Sequence, residues 1–170
     1  MRVATSIMFA VALVMPTLVI AMPGARFAQK QKETHAPLVA ASSVRQLFEQ
    51  FGLFGMWAID CKQPAGPDNP HVRIASLESE FVQEDHDLGP DFTINRYNVL
   101  SAERLSPTRL SVEVLFQPGT DDEEKQKLIF LISEGTRRTL FNQPDEGPVR
   151  VKDGIALGRG VKTPLLTKCD

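Results

Sequence analysis

The first apolar positions with a helical period begin at Val44. Val44, Leu47, Phe48 and Phe51 fall at i, i+3, i+4 and i+7, which is one stripe of an α-helix. Ser43, followed three residues later by Gln46, makes a capping box, and Gly52 is placed to stop the helix. The stripe predicts a short helix packed on a larger core; a lid or a membrane-facing segment is the alternative reading. After Gly52 the period changes to two. Gly55, Trp57, Ile59 and Cys61 are expected on one strand face, with Met56, Ala58 and Asp60 on the other. A proline- and glycine-rich loop covers residues 64–70. Residues 71–75 then alternate, 80–82 continue as their partner, and 91–100 form a further candidate strand. Residues 109–116 alternate most cleanly, with Leu110, Val112, Val114 and Phe116 inward. Residues 127–133 are more uniformly apolar, which predicts a strand buried on both faces. Glu134-Gly135 reads as a tight turn into 136–142, and Asp153-Gly154 as a hairpin turn joining 149–152 to 155–157.

Roughly eight short strands with turns every ~8–12 residues predict an all-β fold. The succession of hairpins favours a single antiparallel up-and-down β-barrel with a short N-terminal α-helix. Upstream lies a different kind of sequence. After Arg2, residues 3–21 are almost wholly apolar, with Pro16 near the end, and residues 1–21 read as a signal peptide. Cleavage is expected after Ala21, with Ala25 and Ala28 as alternatives. An uncleaved anchor is the competing reading, because the run approaches the ~20 residues that span a bilayer. Residues 22–42 lack either apolar period and read as a flexible tether. Residues 43–170 form the barrel domain, expected to be periplasmic or secreted, with no stable membrane span once the leader is removed.

The formal net charge of −2 becomes one unit more acidic when the leader, with its single Arg, is lost. Such mild acidity makes nucleic acid an unsuitable partner. The chain has two cysteines, Cys61 and Cys169, near the two ends of the patterned region. In an exported domain such a pair is expected to form a disulfide, here joining the first strand to the carboxyl end and sealing the barrel seam. No Cys-x-x-Cys spacing supports a redox role.

Gly55-Met56-Trp57 on the first strand after a short helix resembles the Gly-x-Trp signature of the lipocalins and related calycin barrels. That resemblance implies a barrel closed at its base by Trp57 packing against an arginine of a late strand, here Arg137 or Arg138. The chain is also similar to small exported proteobacterial proteins carrying Gly-x-Trp-x-x-x-Cys, an Asn-Pro-His segment and a terminal Thr-Pro…Cys. These stand here as Gly55 to Cys61, Asn69-Pro70-His71, and Thr163-Pro164 to Cys169.

Catalytic chemistry has no recognisable signature. His35 lies in the tether, His71 opens a strand, and His86 sits in Glu84-Asp85-His86-Asp87. That cluster reads as a charged solvent loop, since on a strand at most two of its side chains would share a face. Asp121 to Glu124 likewise read as a solvated turn rather than a cation site. Glycine-rich phosphate loops, nucleophile elbows and paired metal-ligand spacings are missing, so no catalytic residue, cofactor or metal is assigned and the chain is not expected to be an enzyme. The expected function is carriage of a small apolar molecule such as a lipid inside the barrel, lined by Ile74, Leu110, Val112, Val114, Phe130 and Ile132. The alternative is a filled barrel that acts as an interaction or inhibitor module on another envelope protein. Small bacterial metalloprotease inhibitors, exported barrels that insert an N-terminal segment into a protease cleft, are the analogy. An interior void of ~300 Å³ or more favours carriage, whereas a packed interior with an exposed apolar rim favours protein binding.

Overall fold

A computed structural model of the chain describes residues 42–77 and 81–169. The expected signal peptide and nearly all of the tether lie outside the described residues. Helix α1 spans Val44–Gln50. It is followed by eleven strands: β1 (Gly55–Ala58), β2 (His71–Ser76), β3 (Val82–Asp87), β4 (Asn95–Ser106), β5 (Arg109–Phe116), β6 (Glu124–Ser133), β7 (Thr136–Pro144), β8 (Val151–Lys152), β9 (Ile155–Ala156), β10 (Val161–Lys162) and β11 (Leu166–Cys169).

Strands β1 to β7 form an antiparallel meander, and β11 inserts between β7 and β1 to close an eight-stranded barrel. Its lower end carries α1 and the β4–β5 and β6–β7 turns; its upper end carries the longer β1–β2, β3–β4, β5–β6 and β7–β8 connections. Strands β8 to β10 are an outer excursion that pairs with the upper half of β7 at Asn142↔Val151. The C-terminal tail therefore does what a seam requires: Met56↔Cys169 and Ala58↔Thr167 pair on one side, Leu166↔Arg137 on the other. A disulfide joins Cys61 and Cys169, whose Cα atoms are 5.6 Å apart.

Local chemistry explains the elements. The Ser43 side chain accepts from the Gln46 amide while the Gln46 side chain accepts from the Ser43 amide, so both ends of the capping box are made. Leu47 and Phe48 are buried, and α1 packs on β4, where Arg104 lies over the Phe51 ring. Glu134 and Gly135 both have positive φ, as do Asp153 and Gly154, the geometry that a two-residue hairpin of matching twist demands. Asn69 organises the loop between β1 and β2. Its side-chain amide donates to the Asp60 and Pro64 carbonyls, and its side-chain oxygen accepts from the Asp60 amide. The Asn-Pro-His motif is thus a loop clamp, completed by a contact of His71 Nε2 with the Gln63 carbonyl.

Several expectations need correcting. Strand β1 stops at Ala58, because Ile59 and Asp60 bend away toward the Asn69 clamp. Ile59 and Cys61 therefore do not share the face of Trp57. Strand β6 is not buried on both faces: Gln126, Leu128, Phe130 and Ile132 point in, while Lys127 is exposed. The fourth strand starts later and runs longer than 91–100, with register shifts near Val99 and Arg104 that bend it around the barrel. Residues 84–87 are not a loop but the upper half of β3. That last difference governs the interior.

Candidate functional site

Alternation along β3 places Glu84 and His86 inside and Asp85 outside, where Asp85 pairs with Arg96. Arg137 points inward from β7. In the closed order of eight strands, β3 and β7 stand on opposite walls, four steps apart either way round. The Arg137 guanidinium spans that distance and donates two hydrogen bonds to Glu84, Nη2 to Oε1 at 2.6 Å and Nη1 to Oε2 at 3.1 Å. Glu84 is 4 % exposed and Arg137 2 %. His86 Nε2 lies 2.6 Å from Glu84 Oε1, and an ionised carboxylate only accepts, so this nitrogen carries the proton. The Arg137 guanidinium also sits 4.4 Å from the Phe130 ring centroid and 6.0 Å from that of Trp57.

This settles which arginine meets the tryptophan. Arg138, the adjacent residue on β7, faces the other way and donates to the Thr163 carbonyl. Trp57 is buried at the base, donating its indole N–H to the Leu53 carbonyl at 2.7 Å, with Lys168 over its ring and donating to the Gly52 carbonyl. Of the two candidate arginines, Arg137 is the one whose guanidinium approaches the Trp57 ring.

Electrostatics keep the pair charged. Burial by itself raises the Glu84 carboxyl, but the Arg137 charge and the His86 hydrogen bond outweigh it and hold the group at about 2, below its ordinary 4.5. A depressed carboxyl adds stability above the unfolded-state value. That stability should be intact above about pH 4.5 and drain away as the pH falls through about 2, on the order of 3 kcal/mol in all. Acid unfolding followed by Trp57 fluorescence should show a steep dependence between these limits, flattened in Glu84→Gln. Equal slopes in the two proteins would remove the pair from the acid response.

Above the pair the interior mixes polar and apolar groups. The rings of His86, Tyr97 and Phe116 pack at a tilt across β3, β4 and β5, with centroids 4.8 and 5.0 Å apart. Burial pushes the Tyr97 phenol up, and the Glu84 charge adds to that, so the hydroxyl stays protonated. At the mouth Arg150 is bidentate on Glu124, Gln126 donates to Glu124, and Asn142 donates to Gln126. Glu124 is therefore part of an ion pair, whereas Asp121 to Glu123 are exposed as expected of a solvated turn. Among the described residues, no group of acidic, histidine or cysteine side chains is placed to hold a metal ion.

The six residues expected to line a ligand space, Ile74, Leu110, Val112, Val114, Phe130 and Ile132, are all buried and pack into one cluster with Phe48, Leu53 and Trp57. Val114 and Phe130 also border a cavity of about 20 Å³, with Glu84, His86, Tyr97, Leu128 and Thr139. On the upper rim, a cleft of about 440 Å³ is lined by Pro64, Ala65, Asp87, Gly89, Pro90, Phe92 and Ile94. Its floor depends on Gly89: a Cβ there would stand 2.9 Å from the Ala65 carbonyl oxygen, and φ is +101°. Phe92 is 49 % exposed at its edge.

Comparison of the chain with protein-family models, curated proteins and solved structures finds no match. The eight-stranded antiparallel barrel is compatible with a lipocalin-like fold. No described helix is long and apolar enough to cross a membrane.

Proposed function

We propose that the protein is an exported, non-enzymatic β-barrel of lipocalin or calycin ancestry that acts as an interaction or inhibitor module on another protein of the cell envelope. The filled interior is the observation that carries this reading. Ligand pockets commonly measure ~300 Å³ or more, and the interior cavity here is about 20 Å³. A lipid would also have to displace a buried ion pair that crosses the lumen, leaving two charges without partners. The Gly-x-Trp tripeptide and the Trp57–Arg137 contact support the ancestry.

An exterior function needs a surface, and the upper-rim cleft supplies one. Pro64, Pro90, Phe92 and Ile94 present apolar area on rigid turns, so little side-chain entropy is lost on docking. The disulfide and leader support a periplasmic or secreted setting. Native mass spectrometry of the protein purified from its own source tests the reading. The expected spectrum shows the leaderless polypeptide alone or with a protein partner, and the partner complex is lost in Phe92→Asp. A co-purifying apolar small molecule in stoichiometric amount would overturn the proposal in favour of carriage.

A further inference from the structure

The cavity of about 20 Å³ in the barrel interior lies between opposite walls, above the Arg137–Glu84 pair. Holding one water takes roughly 10–15 Å³ of space for a water-sized sphere, so this volume suits one such molecule and excludes larger guests. Whether a space of that size is wet depends on its lining. Cavities bounded only by aliphatic and aromatic groups stay dry, whereas a water with two to four polar partners is bound. Val114, Leu128 and Phe130 form the apolar part of this wall; Glu84, His86, Tyr97 and Thr139 form the polar part.

Each polar group has hydrogen-bonding capacity to spare. Glu84 Oε1 takes Arg137 Nη2 and His86 Nε2, and Oε2 takes Arg137 Nη1. A carboxylate has about four acceptor positions, which leaves one on Oε2. Tyr97 and Thr139 each bring a hydroxyl that both donates and accepts. Burial keeps the Tyr97 phenol protonated, so its donor persists through neutral pH. Glu84 stands on β3, Tyr97 on β4 and Thr139 on β7, across the lumen.

We propose that this cavity is a binding site for a single water molecule, which donates to Glu84 Oε2 and bridges to the hydroxyls of Thr139 and Tyr97. The water makes a second tie between the β3–β4 wall and β7, one layer above the direct Arg137–Glu84 contact. It also completes the coordination of a carboxylate that is otherwise held by cationic and ring donors alone. The occupant is water rather than an ion, because the Glu84 charge is already matched by Arg137.

A crystal structure showing ordered solvent, together with deuteron or oxygen-17 relaxation dispersion in solution, tests the site. The expected density peak lies about 2.7–3.2 Å from Glu84 Oε2 and from at least one of the two hydroxyls. The dispersion amplitude should fall by one long-lived water in Thr139→Val, a change of nearly constant volume, with the circular dichroism spectrum unchanged. Tyr97→Phe provides a second variant should Thr139→Val fail to fold, and it should lower the dispersion amplitude by the same one water. A cavity without density in a structure whose surface waters are ordered would overturn the proposal. So would an unchanged dispersion amplitude in a folded variant.

Discussion

Arg137→Met should lose about 3–5 kcal/mol of folding stability at neutral pH, the range seen when one member of a buried ion pair is removed. The methionine replaces much of the side-chain volume, so the loss comes chiefly from Glu84, left charged near Phe130 and Leu128 with the His86 N–H but without its guanidinium counter-ion. Urea unfolding followed by Trp57 fluorescence measures it. The pH dependence identifies the cause. With Arg137 gone, burial still raises the Glu84 carboxyl while the charge that most lowered it is lost, so its value climbs well above the parent's even with the His86 hydrogen bond in place, and protonation costs the folded form less. The deficit relative to the parent protein should therefore be largest near pH 7 and shrink as the pH falls toward 3. Replacing both members, as Arg137→Met with Glu84→Leu, should recover most of the loss, because two matched apolar groups leave no unpaired charge. A single variant that loses less than about 1 kcal/mol, in the range of an exposed pair, would mean the cross-barrel contact contributes little.

Opening the Cys61–Cys169 bond should cost nearly as much. The crosslink spans a sequence separation of 108 residues. In the chain-entropy model, closing a loop of that length is worth up to ~4–5 kcal/mol. The effect should also be local. Strand β11 has four residues, and among the described residues it is the element that bridges β7 to β1 at the base. Once it is freed from Cys61 the seam opens first there, exposing Trp57 and releasing the Lys168 contact with Gly52. The Cys61→Ser/Cys169→Ser double variant should unfold at lower urea and show red-shifted emission from the single tryptophan before the rest of the barrel melts. Coincident transitions by fluorescence and far-ultraviolet circular dichroism, at the parent midpoint, would show that the barrel closes without the bond.

These two effects differ in how visible their residues are along the chain. The disulfide needed only two cysteines, one near each end of the patterned region. Helix α1 was legible from its stripe and its capping box, and the β6–β7 and β8–β9 turns from Glu134-Gly135 and Asp153-Gly154. In each of those, the interacting groups lie within a few residues of one another. Strand β11 was less visible, since Thr163 to Cys169 does not alternate; its place comes from the vacant edges of β1 and β7 that it satisfies.

The interior cluster was the hardest to see. Glu84-Asp85-His86-Asp87 has the local composition of a solvated loop, and the partner that allows Glu84 inside is 53 residues away. One signal was available: two-residue spacing puts Glu84 and His86 on the same face as Val82, which is buried. Arg137 entered only as one of two neighbours, and direction along β7 separated them, inward for Arg137 and outward for Arg138.

By itself the amino-acid sequence determined that this protein is a string of short antiparallel strands, opened by a capped helix and joined at its ends by sulfur. Those features arise from steric preferences and periodicities confined to a few consecutive residues. Only the tertiary structure decided that the lumen is occupied, that Arg137 crosses it, and that a carboxylate stays ionised at its centre. The free energy of a buried charge depends on what stands on the opposite wall, and that neighbour is chosen by closure of the sheet rather than by the local chain.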